Sequence, residues 1–386
     1  MTFKPLFSKS LAASPERLHL AAHSHHLWPD ASYEGQIACW DDAARLADRK
    51  WDRIMGELWP DAQAEVAEEL GSGDPSAIVF SANTHDFIIR LVAACPRQGS
   101  KLRVLTGDGE FHSARRQFSR WREDGWFEPE IVAVEPYSDF SERFIDRARS
   151  GEHDLIFVSQ MMFNSGRWMD RVSELAALAR PEGPWVVIDG YHSFMAVERP
   201  FPADVAARAF YLAGGYKYAM AGEGMGLMHC PPGFGPRPPI TGWYAEFEDL
   251  TLPPGMIGYA KDGSRFMGAT FDASALYRFT ANRRTLKAHG ITTAVASGKV
   301  AGLHRLLLDA IAGTPLEQAT LLNPLGEGPH ARFLAFRHSD AQRWCNALLQ
   351  RNCITDVRGD VLRIGFGIYH DEEDIDRFVT VASDIA

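Results

Sequence analysis

The stretch "GGYKYAMAGEGMG" (residues 214–226) places one lysine, Lys217, between two tyrosines and among glycines and alanines. A charged amine is costly to bury in such a close-packed setting, so a lysine buried there is expected to have a function. The stretch follows the apolar, β-rich run "AFYLAG" (209–214), so the lysine is predicted to lie just beyond the end of a strand. A lysine in a glycine-rich turn can equally be a solvated surface residue, and the rest of the sequence has to decide between the two.

Short apolar runs recur along the chain, and amphipathic segments lie between them. The predicted strands are 77–80, 102–107, 154–159, 185–189, 209–214 and 226–230, and the predicted helices are 111–123, 170–181 and one long helical pattern from Ser274 to Ile311. The strands show little alternation, as expected for a sheet buried on both faces. This order predicts an α/β fold with a mainly parallel sheet between layers of helices, followed by a smaller α+β unit.

Composition excludes several classes of function. With 386 residues, 46% of them hydrophobic, the chain is long enough for more than one domain. A net charge of −10 without a basic block argues against nucleic acid or an anionic membrane as partner, and no apolar run reaches the roughly 18 residues of a membrane span. Five scattered cysteines with no CxxC pair, and no signal-peptide pattern, predict a cytoplasmic protein with reduced thiols.

Polar and aromatic residues follow five of the predicted strands. They include Asn83, Thr84, Glu110, Phe111, Gln160, Asn164, Asp189, His192 and Lys217. Ligands of open α/β sheets bind outside the carboxyl ends of the strands, so we expect these residues to meet around one ligand.

Pyridoxal 5'-phosphate (PLP) suits this set. Lys217 can form an imine with its aldehyde, and Asp189 can keep its ring nitrogen protonated, so that the ring acts as an electron sink. Asn83 and Thr84 stand at a strand-to-helix turn, where hydroxyl and backbone N–H groups bind phosphate. Phe111 offers a face on which the ring can stack. The sequence therefore predicts PLP as the cofactor.

Four stretches carry a family resemblance: "VVIDGYHSFMAV" (186–197), "GGYKYAMAGEGMG" (214–226), "PITGWYAEF" (239–247) and "VLRIGFGIYH" (361–370). In order and spacing they resemble the PLP-dependent enzymes of fold type I, class V aminotransferase superfamily, and within it the kynureninase branch. The resemblance implies a large PLP-binding domain (30–275) with a seven-stranded sheet. It also implies a small domain (1–29 with 276–386), and a homodimer with shared active sites.

The resemblance also implies roles in cofactor binding. Lys217 forms the Schiff base and moves protons at the substrate Cα, Asp189 pairs with the pyridinium nitrogen, and His192 lies beside the ring. The other implied cofactor contacts are ring stacking by Phe111, a hydrogen bond from Asn164 to O3′, and phosphate binding by Asn83, Thr84, Tyr216, Trp243 and, from a neighbouring subunit, Thr270.

On the substrate side, the resemblance assigns the α-carboxylate to Arg363, because guanidinium binds carboxylate in a bidentate manner. The cluster of His23, His25 and His26 could bind zinc, but no second group of ligands lies at a recognisable spacing, so no metal is expected. We expect instead that His23, His25 or Trp28 lines the substrate pocket.

The predicted activity is a kynureninase-like hydrolytic cleavage of the Cβ–Cγ bond of an amino acid, which yields alanine and an aromatic acid. A class V aminotransferase or a β-lyase is the alternative. A cysteine desulfurase is a further one, with Cys353 as the candidate nucleophile, although that residue lies in a predicted strand ten residues before Arg363. A non-catalytic protein that binds the cofactor for a regulatory role is the remaining alternative.

Overall fold

The computed structural model describes residues 2–246, 251–253, 255–326 and 328–385. Its N-terminal part consists of helices and one short strand: α1 (Ser8–Ala12), β1 (Leu18–His19), α2 (Asp30–Leu46), α3 (Lys50–Arg53) and α4 (Trp59–Leu70). A π-helical turn, Ile54–Leu58, joins α3 to α4. None of the described helices is long and apolar enough to cross a membrane.

A seven-stranded sheet forms the centre of the molecule. Its strands are β2 (Ile78–Ser81), β3 (Leu102–Gly107), β4 (Phe127–Val132), β5 (Leu155–Ser159), β6 (Trp185–Asp189), β7 (Phe210–Gly214) and β8 (Gly226–His229). Their order is β2-β8-β7-β6-β5-β3-β4, and β8 runs in the direction opposite to the other six strands. The predicted mainly parallel seven-stranded sheet is thereby confirmed. Every residue of β5, β6 and β7 is buried, which explains their uninterrupted apolar sequences.

Helices connect most of these strands and flank the sheet. They are α5 (Thr84–Ala94), α6 (His112–Glu123), α7 (Phe140–Ser150), α8 (Val172–Leu178) and α9 (Ala203–Ala206). The connection between β6 and β7 contains α9, so Asp189 and Lys217 follow neighbouring parallel strands. Both residues therefore lie at the same edge of the sheet.

Strand β4 was not among the predicted strands. It is one of the two edge strands, paired only with β3, and its sequence "FEPEIV" carries Pro129 and two glutamates. Proline lacks a backbone N–H and is tolerated in a sheet mainly at an edge, so this sequence does not read as a strand.

The C-terminal part begins with two helices and continues as a small sheet covered by helices. Its elements are α10 (Ser274–Ala288), α11 (Thr293–Ala310), β9 (Thr320–Leu321), β10 (Leu334–Arg337), α12 (Ala341–Gln350), β11 (Cys353–Ile354), β12 (Asp356–Arg358), β13 (Val361–Ile364) and α13 (Glu372–Ala382). The strands β12-β13-β10-β9 form an antiparallel sheet, and β11 pairs with β1. The division into 30–275 and 1–29 with 276–386 remains a prediction.

One predicted helix was wrong in its length. The long helical pattern from Ser274 to Ile311 is two helices, α10 and α11, separated by residues 289–292. Gly290 adopts a left-handed φ of +65°, which favours glycine, and Thr292 accepts a hydrogen bond from the backbone N–H of Val295. These are a helix-ending and a helix-starting signal, so the break is encoded locally.

Candidate active site

The loop between β7 and β8 presents Lys217 at the carboxyl edge of the large sheet. Its flanking glycines are required by close approaches of other segments. A Cβ atom at Gly226 would lie 2.4 Å from the backbone carbon of Asn83, and one at Gly214 would lie 2.0 Å from the Tyr191 hydroxyl. The glycines therefore bring the start of α5 and the turn after β6 into contact with the lysine loop.

Lys217 is buried, with 6% of its surface exposed. Its Nζ lies 2.6 Å from Nε2 of His192 and 4.7 Å from the centroid of the Tyr191 ring. Burial lowers the pKa of the Lys217 amine well below its ordinary value, and the positive charge of Arg363 lowers it further. A neutral amine is the nucleophilic form, so the site favours imine formation at this lysine.

Asp189 ends β6 and faces the same cavity. Its Oδ1 accepts a hydrogen bond of 3.0 Å from the backbone N–H of Tyr191, which orients the carboxyl group. Burial raises the pKa of Asp189, while that hydrogen bond and the charge of Lys217 act in the opposite direction. A buried carboxyl group of this kind is suited to a positively charged partner within the cavity.

A cavity of about 180 Å³ joins these groups. Seven of the predicted site residues line it, namely Asn83, Thr84, Phe111, Asp189, His192, Tyr216 and Lys217. The Asn83 side chain accepts a hydrogen bond from the backbone N–H of Asp86 and caps α5, so helix capping and a phosphate-binding position coincide there. The Phe111 ring packs edge-on against Phe163, at 5.4 Å between centroids.

Two residues that line the cavity have a buried ring nitrogen without a hydrogen-bond partner among the described residues, namely Nδ1 of His85 and Nδ1 of His192. Oδ1 of the predicted site residue Asn164 is also without a partner there, but Asn164 does not line the cavity. Buried polar groups are rarely left unpaired in folded proteins, so they indicate a polar ligand. PLP fits the residues present: an amine for its aldehyde, a carboxyl group for its ring nitrogen, and a helix N-terminus for its phosphate.

Arg363 lies in β13 and is 2% exposed. Its guanidinium donates hydrogen bonds to the carbonyl oxygen of Phe163 and to the carboxylate of Asp356. Its Nε is buried without a partner among the described residues. Arg363 does not line the 180 Å³ cavity, but its charge lowers the pKa of both Lys217 and His192. The charge of the arginine therefore acts on the lysine from outside the cavity.

The three N-terminal histidines point to different surroundings. His23 is fully buried and packs on Phe333. Neither of its ring nitrogens has a hydrogen-bond partner among the described residues, but Nε2 lies 3.8 Å from Oδ2 of Asp356. His25 is exposed and stacks on Tyr216, at 5.0 Å between centroids. His26 is buried against Leu27, to whose carbonyl its Nδ1 lies at 2.8 Å. Among the described residues no group of three or more possible ligands could hold a metal ion.

Three further predicted site residues do not line the cavity. Trp28 is partly exposed, and the guanidinium of Arg278 lies 5.0 Å from its ring. Trp243 begins a 3₁₀ turn, Trp243–Glu246, and is 44% exposed, while Thr270 is also exposed. The contribution of Thr270 to a neighbouring subunit stays a prediction.

Two residues emerge whose roles the sequence did not assign. Tyr191 lines the cavity beneath the lysine amine. Glu110 is buried and accepts hydrogen bonds from the backbone N–H and the hydroxyl of Ser159, at 3.0 and 2.5 Å. Burial raises the pKa of Glu110 to about 8. The only signal in the sequence was their position directly after predicted strands.

No cysteine of the chain lines the cavity: the five are Cys39, Cys95, Cys230, Cys345 and Cys353. Cys353 is fully buried in β11, and burial raises the pKa of its thiol to about 12. Burial raises the pKa of Cys230 to about 12 as well. The thiolate is the nucleophilic form of cysteine, so burial disfavours the reactive form of Cys230 and Cys353.

Comparisons with known proteins show which families and structures this chain is similar to. Residues 297–382, which include Arg363, match the kynureninase C-terminal domain family. A probable cysteine desulfurase of Pseudomonas aeruginosa is 26% identical over 343 residues, covering 82% of this chain and 80% of the relative.

Two solved structures are similar over almost their whole length. The cystine C–S lyase C-DES, in complex with its product cysteine persulfide, has a TM-score of 0.79 and 16% identity, covering 97% of this chain and 99% of that one. The cysteine desulfurase of Thermococcus onnurineus NA1 has a TM-score of 0.76 and 18% identity, covering 100% and 98%. At these identities the likeness shows a shared fold.

Proposed function

Because the chain is a PLP-dependent enzyme of fold type I and of the class V aminotransferase superfamily, we propose that it cleaves the Cβ–Cγ bond of an α-amino acid by hydrolysis, in a kynureninase-like reaction. The observation that carries this proposal is the buried Lys217 amine, 2.6 Å from His192 and in one cavity with Asp189. The match of residues 297–382 to the kynureninase C-terminal domain family favours this branch.

Lys217 removes the proton from the substrate Cα, and His192 contacts the lysine amine. When bound, PLP supplies an electron sink that stabilises negative charge at that carbon. Lys217 Nζ takes the proton, and its lowered pKa keeps the amine in the basic form that can do so. His192 Nε2, 2.6 Å from Nζ, orients the amine.

Other residues orient the reactants. Asp189 would keep the ring nitrogen of PLP protonated, Phe111 would offer a face for ring stacking, and Asn83 with Thr84 would bind the phosphate at the start of α5. Arg363 binds the substrate α-carboxylate, for which its unpaired, buried Nε offers a free donor.

A desulfurase that uses a protein thiol is not supported by this site, despite the names of its relatives. Such an enzyme needs a reactive thiolate beside the cofactor, and no cysteine of the chain lines the cavity. A β-lyase acting on a C–S bond is the second candidate. Elimination needs proton removal at Cα but no protein thiol, and the neighbour C-DES is named as a cystine C–S lyase.

The test is product analysis with the purified holoenzyme. L-kynurenine, L-cystine and L-cysteine are supplied in turn, with and without a keto acid, and products are identified by mass spectrometry. Alanine and an aromatic acid from L-kynurenine support the proposal. Elimination products from L-cystine alone favour the β-lyase, and turnover that depends on the keto acid indicates an aminotransferase. If the original protein turns over no amino acid faster than the Lys217→Ala variant does, it is a non-catalytic cofactor-binding protein.

A further inference from the structure

The hairpin of β12 and β13 places Asp356 directly opposite Arg363 in the antiparallel ladder. Arg363 donates a hydrogen bond to Oδ2 of Asp356, while Arg358 lies 2.8 Å from Oδ1 of the same carboxylate. The side chains of Asp356 and Arg363 are only 10% and 3% exposed. One buried carboxylate is therefore shared by two guanidinium groups.

Other contacts fix the remaining sides of the Arg363 guanidinium. One terminal nitrogen donates to the carbonyl oxygen of Phe163, and the ring of Phe333 lies 5.4 Å from the guanidinium carbon. Nε has no partner among the described residues although it is buried. Both terminal nitrogens already donate hydrogen bonds, so Nε is the nitrogen of the guanidinium that is left for a ligand.

Asp356 and Arg363 act on the same amine with opposite signs. After burial, the charge of Arg363 is the largest influence that lowers the pKa of Lys217, whereas Asp189 and then Asp356 raise it. The neighbouring His192 and His23 are buried, with pKa values lowered well below the ordinary value, so they add little positive charge. The Asp356–Arg363 pair therefore belongs electrostatically to the active site.

We propose that Asp356 is a positioning residue for substrate recognition: it holds the Arg363 guanidinium so that its Nε donor meets the α-carboxylate of the amino acid. Arg358, on the other oxygen of Asp356, keeps that carboxylate in place. Asp356 acts through Arg363 and does not itself touch the substrate. The inference rests on the proposed function, because it requires a substrate with an α-carboxylate.

The experiment compares the binding of L-alanine and L-alaninamide, which differ only in the carboxylate. Each is titrated into the holoenzyme while the absorbance of the cofactor is followed. Asp356→Asn keeps the shape of the side chain and removes its charge. We expect L-alanine binding to weaken by about tenfold and L-alaninamide binding to change by less than about twofold. Asp356→Glu should recover part of the loss.

A pH titration of the cofactor absorbance gives a second readout that needs no substrate. Removing the negative charge in Asp356→Asn should lower the pKa of the Lys217 nitrogen. Removing the positive charge in Arg363→Met should raise it. If Asp356 and Arg363 only supported folding, their two variants would not shift the pKa of the Lys217 nitrogen in opposite directions.

The matched control is Glu69→Gln. Glu69 forms an ion pair with Arg283 at 2.6 Å, and the two side chains are 10% and 4% exposed, but neither lines the cavity. This variant should lose stability without changing either readout. If Asp356→Asn does not fold, Arg358→Met provides the test, with a smaller loss of L-alanine binding expected.

The outcomes separate the two proposals. An unchanged ratio of L-alanine to L-alaninamide affinity in Asp356→Asn, or in Arg358→Met if that variant has to be used, overturns the positioning role. If Arg363→Met also leaves the ratio unchanged, the assignment of the carboxylate to Arg363 in the proposed function fails instead.

Discussion

Lys217 and Cys353 are two buried nucleophiles in different regions, and burial has opposite consequences for them. Lys217 is 6% exposed at the edge of the large sheet, and Cys353 is 0% exposed in β11 beside β1. Desolvation favours the uncharged form of each group, so it lowers the pKa of the amine and raises that of the thiol to about 12. The uncharged amine is reactive, whereas the uncharged thiol is not.

Their surroundings reinforce this difference. Lys217 faces a cavity that it shares with Asp189 and His192. Cys353 pairs with Leu18 across two strands and belongs to the apolar core of the small sheet. The reaction of this chain is therefore expected to use the Lys217 amine and no protein thiol, even though similar proteins are named cysteine desulfurases.

The largest effect is expected from Lys217→Ala. Loss of the amine removes both the attachment of the cofactor and the base at Cα. The kcat of the amino acid reaction should fall by about 10³-fold or more, given what positioned proton transfer contributes. Steady-state kinetics on the substrate identified by product analysis measures it. A decrease of less than tenfold would contradict the assignment of Lys217.

An effect of intermediate size is expected when Lys217 and Cys353 are labelled chemically in the same protein. In protein freed of cofactor, a small acylating reagent should modify Lys217 near neutral pH, where ordinary lysines remain protonated, because burial lowers its pKa. Labelling should decrease as the pH falls through the lowered pKa. A small alkylating reagent should leave Cys353 unmodified until the protein is unfolded. Peptide mass spectrometry quantifies both, and preferential labelling of Cys353 in the native protein would reverse the comparison.

The smallest effect is expected from Cys353→Ala. Activity should stay within about twofold of the original enzyme, because the thiol takes no part in the reaction. The free energy of unfolding should fall by about 1 kcal/mol, since a buried sulfur is replaced by a small void. Denaturant unfolding and kinetics check the two effects. Loss of activity in a stable variant would restore the desulfurase alternative.

The large sheet could be predicted from the sequence because its central strands are short, uninterrupted apolar runs. Most of the site followed, since residues after parallel strands meet at one edge, as Asp189 and Lys217 do. Strand β4 was not predicted because Pro129 and the two glutamates of its sequence are not typical of a strand. The part played by Asp356 depends on its register opposite Arg363, which no local pattern in the sequence reveals.

The most direct test of the account is to locate the covalent link between cofactor and protein. The yellow holoenzyme is reduced with borohydride, digested and mapped by mass spectrometry. The account predicts that the cofactor is attached to the peptide that contains Lys217, and to no other lysine. Attachment elsewhere, or cofactor that separates from the protein after reduction, would contradict it.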